Sequence, residues 1–386
     1  MNARRNGAIP LSKPFFGGKE KDYVAQTIRS TVGGTTGNHF GSACERWLEK
    51  ELGCFRAFVT HSGTGALEMA ALLCGFGPDD EVILPSFTYP STANAFVLRG
   101  AVPVFVDIRS DTFNLDETLI EAAVTPRTRV IVPVHYGGVA CAMNEIMEIA
   151  RTHALTVVED SAHGILASYE GRFLGTLGNM GALSFHSTKN IVCGSGGALL
   201  LNDEGLVERA AIALEKGTDR LSFLQGRVEE YSWQDVGSAF GMSEIVAAFL
   251  YAQLEVAAKI TQTRRRLFHR YRQGLEPLMA RGVIRVAHVP DGATCNGHIF
   301  FVITRDRQER LRLIEYLRQR GVTAASHYVP LHLSNAGRKF GRVSGRLKVT
   351  EELVPGLVRL PLYPEMAERE VDRVIDLITA FYSGAV

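Results

Sequence analysis

The sequence lacks long apolar stretches and an excess of charge of either sign. No stretch reaches the roughly 18 apolar residues that a membrane-spanning helix needs. The first residues include Arg4, Arg5, Pro10 and Pro14 without a continuous apolar run, so we expect no signal peptide. Lysine and arginine number 42 against 41 aspartates and glutamates, and the densest basic run is only Arg264–Arg266. The charge pattern therefore predicts no binding to nucleic acid.

Cysteine is also scarce, and the cysteines are widely spaced. The chain has six of them in 386 residues, with no CxxC pair and no cluster of Cys and His at the spacing of zinc ligands. This pattern predicts free thiols, no metal site and a reducing, cytoplasmic location. The six are Cys44, Cys54, Cys74, Cys141, Cys193 and Cys295.

What the sequence does have is the composition of a globular protein, with 46% hydrophobic residues and a length typical of two or three domains. Between Arg56 and Leu201, short β-branched runs alternate with helical patterns, which predicts βαβ units around a large, mostly parallel sheet. The predicted strands in this region are Phe58–Val59, Glu81–Pro85, Val102–Asp107, Arg129–Val134, Thr156–Asp160 and Gly197–Leu201.

The second half of the chain has a different pattern. Apolar spacing from Met242 to Leu254 predicts a long helix. After Pro290 the pattern predicts a strand, a helix, a strand and a final helix, which form a smaller α+β domain. These elements are His298–Thr304, Gln308–Arg320, Gly321–Tyr328 and Ala367–Tyr382. We predict a large domain with the N-terminal segment over residues 1–255 and a small domain over residues 256–386.

A Gly/Ser/Thr turn, His61–Leu67, follows a predicted strand and opens a predicted helix. Free backbone N–H groups and the helix dipole at such a helix start can bind a phosphate. A turn that only caps the helix is an equally good interpretation, because the spacing matches neither a Walker A loop nor G-x-G-x-x-G.

Three further motifs follow predicted strands. Glu159 and Asp160 end the strand Thr156–Asp160, where ligands bind in open α/β sheets, although such a carboxylate is often only a helix cap. Lys189 lies among Ser, Thr and Gly between two strands, where a desolvated lysine loses its proton readily and can form an imine. Phe87 and Tyr89 follow the strand Glu81–Pro85, and one of these two aromatic rings could stack on a planar ligand.

Together, a phosphate cradle, an aromatic ring, a strand-end carboxylate and an imine-forming lysine are the groups that pyridoxal 5'-phosphate (PLP) needs. The carboxylate keeps the pyridine nitrogen protonated, and the lysine forms the Schiff base.

With these motifs, the sequence resembles the sugar aminotransferases of the DegT/DnrJ/EryC1/StrS family, which share the PLP-dependent aspartate-aminotransferase (type I) fold. The resemblance extends from about Pro10 to Phe381 and includes EVILPSFTYPSTANAFVLRGA, TRVIVPVHYGGVAC, SFHSTKN and SHYVPLH. Within the family it closely resembles the dTDP-4-amino-4,6-dideoxygalactose transaminases.

The resemblance assigns roles to individual residues. It implies that Lys189 is the Schiff-base lysine, that Asp160 contacts the pyridine nitrogen, and that Tyr89 stacks on the ring. It further implies phosphate binding by the backbone of Thr64 and Gly65 and by the Ser184 hydroxyl, a position near the phenolic oxygen for His163, and substrate contacts from His327, Tyr328 and His332.

Two positions depart from the family pattern. Many relatives have Gln in place of His163. Many also have Gly-Tyr-Asn-Tyr-Arg-Met where this chain has Gly237–Met242, and their Asn reaches the phosphate in the partner subunit. Ala239 cannot make that contact, so Ser238 or a backbone amide is the alternative.

The resemblance implies a homodimer with the site between subunits, and PLP that cycles with pyridoxamine 5'-phosphate (PMP). The expected reaction transfers an amino group from L-glutamate to a nucleotide-linked 4-keto-6-deoxyhexose, with dTDP-4-keto-6-deoxy-D-glucose as the expected acceptor, and gives the galacto or gluco amino sugar. The alternatives are a sugar dehydratase or deaminase of the same family, a non-catalytic cofactor-binding regulator, and a nicotinamide oxidoreductase. Lys189 favours transamination over dehydration, because dedicated dehydratases commonly carry His there, and the absence of G-x-G-x-x-G weighs against the oxidoreductase.

Overall fold

The computed structural model describes residues 7–31 and 39–384. Its strands are β1 Arg56–Thr60, β2 Glu81–Pro85, β3 Val102–Val106, β4 Thr128–Ile131, β5 Thr156–Asp160, β6 Ser168–Tyr169, β7 Arg172–Phe173, β8 Met180–Ser184, β9 Gly197–Leu201, β10 Arg285–Val286, β11 Ala293–Thr294, β12 Phe300–Ile303, β13 Arg342–Val343 and β14 Leu357–Leu360.

The helices are α1 Glu20–Thr31, α2 His39–Leu52, α3 Gly63–Leu73, α4 Pro90–Val97, α5 Ile120–Ala123, α6 Met143–Thr152, α7 Val207–Leu214, α8 Arg220–Leu224, α9 Glu244–Leu254, α10 Ala257–Ala280, α11 Arg307–Gln319, α12 Asn335–Phe340, α13 Lys348–Leu353 and α14 Glu368–Ser383.

The large sheet has eight strands in the order β1-β9-β8-β5-β4-β2-β3-β13. Every neighbouring pair from β8 to β13 is parallel, and only β9 runs antiparallel to its two neighbours. Strands β2 and β9 are buried along their whole length because helices cover both faces of the sheet. The predicted α/β fold with a mostly parallel sheet is confirmed.

The strand order brings the chemically important strand ends together. Strands β5 and β8 are adjacent and parallel, so Asp160 and Ser184 end at the same edge of the sheet. Strand β1 also ends at this edge, because it and β8 are both antiparallel to β9, and α3 begins directly beyond it.

The C-terminal part forms a second core around the antiparallel sheet β10-β12-β14, with α10, α11 and α14 packed on it. Ile9 joins this core, because its backbone bonds to Gly321 and Thr323. The first turn of α10 instead packs against the large-sheet core through Ala257 and Ile260. The division at residues 255 and 256 stays a prediction.

One predicted strand, Gly321–Tyr328, is wrong. This segment has only two isolated bridges, from Val322 to Ile9 and from Ala325 to Arg359. Beyond Ala325 the chain leaves the sheet, and His327 and Tyr328 turn into the wall of a cavity. Within residues 7–31 and 39–384, no helix has the length and apolar character to cross a bilayer.

Candidate active site

A cavity of about 410 Å³ lies at the carboxyl edge of the large sheet. Its volume is in the range of small-molecule sites. Eight of the ten residues predicted for the site line it, and they come from chain segments as far apart as α3 and the loop after α11. These eight are Thr64, Tyr89, Asp160, His163, Ser184, Lys189, His327 and Tyr328.

The start of α3 forms one wall of the cavity. Ser62 caps the helix, since its Oγ accepts the N–H of Gly65 at 2.9 Å. The N–H groups of Gly63 and Thr64 have no acceptor among the described residues, and both residues line the cavity. Free amides at a helix start attract an anion.

Glycine at position 63 allows this wall to approach β8 closely. A Cβ on Gly63 would lie 2.8 Å from the Cβ of Ser184 and 3.1 Å from its Oγ. The Ser184 hydroxyl therefore lies beside the first turn of α3, where it can join the free amides in binding a phosphate.

The Asp160 carboxylate is 5% exposed and keeps part of its hydrogen-bonding capacity. Its Oδ2 accepts the Thr92 hydroxyl at 2.6 Å, and its Oδ1 accepts the N–H of Ala162 at 3.1 Å. Since Thr92 donates to Asp160, Thr88 donates to Thr92, at 2.8 Å. The two threonines fix the carboxylate at the end of β5.

Glu159, the neighbour of Asp160, does not line the cavity. Its two oxygens accept His135 Nε2 and the N–H groups of Gly175, Leu177 and Gly178 at 2.6–2.8 Å. Neighbouring side chains on a strand point to opposite faces, and Glu159 stabilises the loop between β7 and β8.

Lys189 lies in the turn after β8, where its N–H donates to His186 O at 2.9 Å. Its ammonium has no ion pair or hydrogen bond among the described residues. Burial lowers the pKa of Lys189 to about 8; Asp160 opposes this shift and Arg359 adds to it. At neutral pH a substantial minority of the amine is therefore unprotonated and reactive.

Three histidines next to Lys189 are held neutral. Burial and the neighbouring positive charges lower the pKa of His163 and His298 well below the usual range, and that of His327 to about 2. His163 and His298 stack with their ring centroids 4.1 Å apart. Because His163 Nδ1 accepts the N–H of Gly137, at 3.2 Å, its proton lies on Nε2. His163 can therefore donate a hydrogen bond into the cavity.

Aromatic rings form the outer wall. Tyr89 caps α4 and is 57% exposed, and its ring centroid lies 5.9 Å from that of Tyr328. Tyr328 in turn stacks on His327 at 3.7 Å. Tyr89 is thus accessible to a planar ligand, as its predicted role requires.

Two predicted site residues lie outside the cavity. Gly65 is behind Ser62, and its only N–H is already bonded to Ser62 Oγ, so the free amide next to Thr64 is that of Gly63. His332 bonds to Ser86 Oγ at 2.6 Å and to Glu351 at 3.2 Å and borders a separate surface pocket. The structure does not bring His332 to Lys189.

The segment Gly237–Met242 packs beside the loop that leads into α3. The Phe240 carbonyl accepts the N–H of His61 at 2.8 Å, and Ser238 makes backbone bonds to Ala213 and Lys216. Ala239 forms an isolated bridge with Glu215. The segment is therefore next to the proposed phosphate wall, and its contact with a partner subunit stays a prediction.

Sequence reasoning missed Arg359, Tyr136 and Thr92, which also line the cavity. The one available signal for Arg359 was a charged residue inside the apolar run Leu357–Leu360. Its place in the cavity wall follows from tertiary contacts, namely the pairing of β14 with β12 and the bridge between Arg359 and Ala325.

These residues fit PLP. Free amides and the Ser184 hydroxyl suit its phosphate, the Asp160 carboxylate suits its pyridine nitrogen, and Lys189 is a cavity amine with a lowered pKa. Within the described residues, no group of three His, Cys, Asp or Glu side chains is arranged to hold a metal ion.

The chain is similar to known aminotransferases over its whole length. A model of the DegT/DnrJ/EryC1/StrS aminotransferase family matches residues 16–379. The spore coat polysaccharide biosynthesis protein SpsC of Bacillus subtilis is 31% identical, with 100% of both chains covered. The GDP-perosamine synthase of Caulobacter vibrioides is 33% identical, with 95% of this chain and 96% of the synthase covered.

A solved structure supports the same relationship. Spr1654 from Streptococcus pneumoniae, in its PMP form, superimposes with a TM-score of 0.89 at 27% identity, covering 98% of this chain and 100% of Spr1654. The same protein has also been solved in a PLP form.

Proposed function

The chain belongs to the DegT/DnrJ/EryC1/StrS aminotransferase family and is a PLP-dependent aminotransferase, and from this premise we propose which substrates it uses. We propose that it transfers the amino group of L-glutamate to the 4-keto carbon of a nucleotide-linked 6-deoxyhexose. The proposed acceptor is dTDP-4-keto-6-deoxy-D-glucose, and the product is the 4-amino-4,6-dideoxy sugar.

The observation that carries this proposal is the arrangement of one cavity. Lys189, Asp160 and the free amides of α3 line the same 410 Å³ space, with Tyr89 and Tyr328 at its outer wall. The relative named GDP-perosamine synthase makes, as its name states, a nucleotide-linked sugar, and it is 33% identical. These two facts together favour a nucleotide sugar as the acceptor.

When bound, PLP supplies an electron-withdrawing ring that stabilises negative charge at a substrate carbon. Lys189 Nζ moves the proton. Its lowered pKa of about 8 lets the amine accept a proton from the donor's α-carbon and release it again near neutral pH. Proton transfer by a positioned base of matched pKa typically contributes about 10²–10⁴-fold to a rate.

Asp160 and the start of α3 orient the reaction without moving protons. The Thr88–Thr92–Asp160 chain holds the carboxylate against the proposed position of the pyridine nitrogen. The free N–H groups of Gly63 and Thr64 bind the phosphate at the other end. These two anchors would hold the two ends of PLP in the cavity that Lys189 also lines.

We place the site in a homodimer. Exposed apolar side chains cluster between residues 223 and 236, next to the Gly237–Met242 segment beside α3, and such a patch is typical of a subunit contact. The members are Phe223, Leu224, Val228, Tyr231, Trp233 and Val236. Sedimentation velocity tests this: we expect a dimer, and a Trp233→Ser variant shifts it toward monomer.

We also place the enzyme in the cytoplasm. All six cysteines have free thiols, and five of them are buried. Unpaired buried thiols are typical of proteins in a reducing compartment.

The test of the reaction is a visible absorption spectrum of the purified protein with PLP, recorded before and after L-glutamate and then after dTDP-4-keto-6-deoxy-D-glucose. We expect L-glutamate to bleach the cofactor band and the keto sugar to restore it. If bleaching occurs but only a GDP-linked keto sugar restores the band, the nucleotide assignment is wrong. If no keto sugar restores it, the acceptor assignment is wrong.

A further inference from the structure

Arg359 is a charged residue in an otherwise apolar strand, and it lines the cavity. Its two neighbours in β14, Val358 and Leu360, are buried in the C-terminal core. Among the described residues, Arg359 has no carboxylate partner. Placing an unpaired guanidinium in a partly buried position costs folding free energy, which suggests that the charge has a function.

Arg359 is held by one side-chain contact. Its Nη1 donates to His327 Nε2 at 3.0 Å, and His327 Nδ1 lies 2.9 Å from the Tyr136 hydroxyl. Because a guanidinium can only donate, His327 must be neutral and its proton must lie on Nδ1, bonded to Tyr136. This chain of bonds fixes one corner of the guanidinium.

The other edge of the guanidinium, formed by Nε and Nη2, is unpaired. Nε is buried and has no hydrogen-bond partner, and no bond from Nη2 occurs among the described residues. Leaving a buried donor unsatisfied costs about 1–3 kcal/mol. Because Nε has almost no accessible surface in this structure, the Arg359 side chain must turn for a ligand to reach this edge, and the contact then recovers that cost.

Other arginines in this protein show what this edge binds. Four of them use Nε and Nη2 together to hold the two oxygens of one carboxylate, at 2.6–3.2 Å. The pairs are Arg109–Asp111, Arg270–Asp372, Arg318–Glu315 and Arg342–Glu81. This two-pronged geometry is the strongest and most specific arginine–carboxylate contact.

The charge of the cavity favours an anion near Arg359. Lys189 and Arg359 are the Lys and Arg side chains in the described cavity wall, and Asp160 is its only carboxylate. Asp160 is already engaged by Thr92 and Ala162. Because the pKa of Lys189 is lowered to about 8, Arg359 is the permanently charged cation among these lining residues.

We propose that Arg359 binds a carboxylate group of the substrate through its Nε–Nη2 edge. The inference rests on the proposed function only for the identity of that substrate. The carboxylate has two possible sources, the amino donor or an acidic group on the acceptor sugar, and both present the same chemistry to Arg359.

The first experiment measures binding without turnover. Glutarate, a dicarboxylate with no amino group, is titrated into the PLP-loaded enzyme by isothermal titration calorimetry. We expect Arg359→Gln to weaken glutarate binding by about 10- to 100-fold, the range of a hydrogen-bonded charge contact. Arg359→Lys, which keeps the charge but not the two-pronged edge, should have an intermediate affinity.

Arg285→Gln is the matched control. Arg285 is in β10 of the same three-stranded sheet, is exposed and does not line the cavity, so the variant loses the same charge elsewhere. We expect its glutarate affinity to match the wild type. Thermal melting of all variants checks folding. If Arg359→Gln does not fold, Arg359→Lys is used as the test variant in its place.

A second experiment identifies the source of the carboxylate. Single-turnover absorbance measures each half-reaction of Arg359→Gln separately. A raised half-saturation concentration for L-glutamate, with the limiting rate and the reaction of a neutral keto sugar unchanged, assigns Arg359 to the amino donor. The converse, with the loss confined to a keto sugar that carries a carboxylate, assigns it to the acceptor.

Three results would overturn the proposal: wild-type enzyme that does not bind glutarate, Arg359→Gln that binds it as well as wild type, or Arg285→Gln that loses as much affinity. Equal loss of both half-reactions, including that of a neutral keto sugar, also contradicts it, because it shows a structural role. The three glutarate-binding results do not depend on whether the proposed keto sugar is the acceptor.

Discussion

Glu159 and Asp160 are neighbours in β5, but they lie in very different surroundings. Glu159 accepts four hydrogen bonds, three of them from backbone N–H groups, whereas Asp160 accepts two and faces the cavity. Two arginines differ in the same way. Arg264 donates to three backbone carbonyls in the second core, whereas Arg359 keeps one edge unpaired.

The comparison distinguishes charged side chains that stabilise the fold from charged side chains that remain available to bind a ligand. A buried charge that is fully paired stabilises one backbone arrangement, and it has no capacity left for a ligand. The charges of the cavity wall keep free donors or acceptors, at some cost in stability, because a ligand needs them. Substitutions in the two groups should therefore have opposite effects on stability and activity.

The largest effect on activity is expected for Lys189→Ala. Removing the amine that moves the proton should lower turnover by at least about 10⁴-fold. The thermal melt should stay close to wild type, because the Lys189 ammonium has no partner to lose. Coupled measurement of 2-oxoglutarate release checks the rate.

Lys259→Ala is the control for this variant, since Lys259 is exposed on α10 and does not line the cavity. It should turn over at the wild-type rate. A Lys189→Ala enzyme with near-normal turnover would remove Lys189 from the mechanism.

Asp160→Asn should reduce activity with little loss of stability. The amide keeps the shape: its oxygen can accept the N–H of Ala162, and its NH₂ can donate to the Thr92 hydroxyl, which can turn to donate to Thr88. We therefore expect the free energy of unfolding to change by less than about 1 kcal/mol. Turnover should fall by about 10²–10³-fold, because the pyridine nitrogen loses its anionic partner. Urea unfolding and steady-state kinetics on the same preparation give the two numbers.

Glu159→Gln should reduce stability with little loss of activity. In one orientation the new amide NH₂ would face the N–H groups of Leu177 and Gly178. In the other it would face Gly175 N–H and His135 Nε2. We expect a loss of about 2–3 kcal/mol of unfolding free energy, measured by urea denaturation. Turnover per folded molecule should stay within a few-fold of wild type. If Glu159→Gln lost activity without stability, the distinction between the two carboxylates would be wrong.

The smallest expected effect concerns pH. The pKa of Lys189 is lowered to about 8, so its neutral, reactive fraction rises with pH until about 8 and then levels off. PLP uptake by the cofactor-free protein should speed up by about tenfold per pH unit below this point. Stopped-flow absorbance measures the profile.

Arg359→Gln sharpens this measurement, because Arg359 contributes to the lowered pKa of Lys189. Without that neighbouring cation, the midpoint of the profile should move to higher pH. Arg285→Gln should leave it in place. An unchanged midpoint in Arg359→Gln would show that the two cations do not interact.

Much of the large sheet could be predicted because its signals are local. Strand β2 has the predicted bounds Glu81–Pro85, and β5 and β9 agree as well. The error at Gly321–Tyr328 has a non-local cause. Strand β14 makes its ladder with β12 and only one bridge to Ala325, so this segment has no partner strand and turns to the cavity.

The cavity shows the same division between local and non-local information. Sequence by itself determined the alternation of strands and helices that includes β2, β5 and β9, the carboxylate at the end of β5, the glycines at the start of α3 and the placement of Lys189 between two strands. Each of these depends on backbone preferences and apolar spacing within a few residues.

Only the tertiary structure decided which distant groups meet these residues. Arg359 lies 170 positions beyond Lys189, and it reaches the cavity because β14 packs in a separate core whose edge faces the large sheet. The full pairing of Glu159 and the free edge of Arg359 likewise depend on loops and strands that no local pattern connects. Such contacts arise from packing, which depends on the whole chain at once.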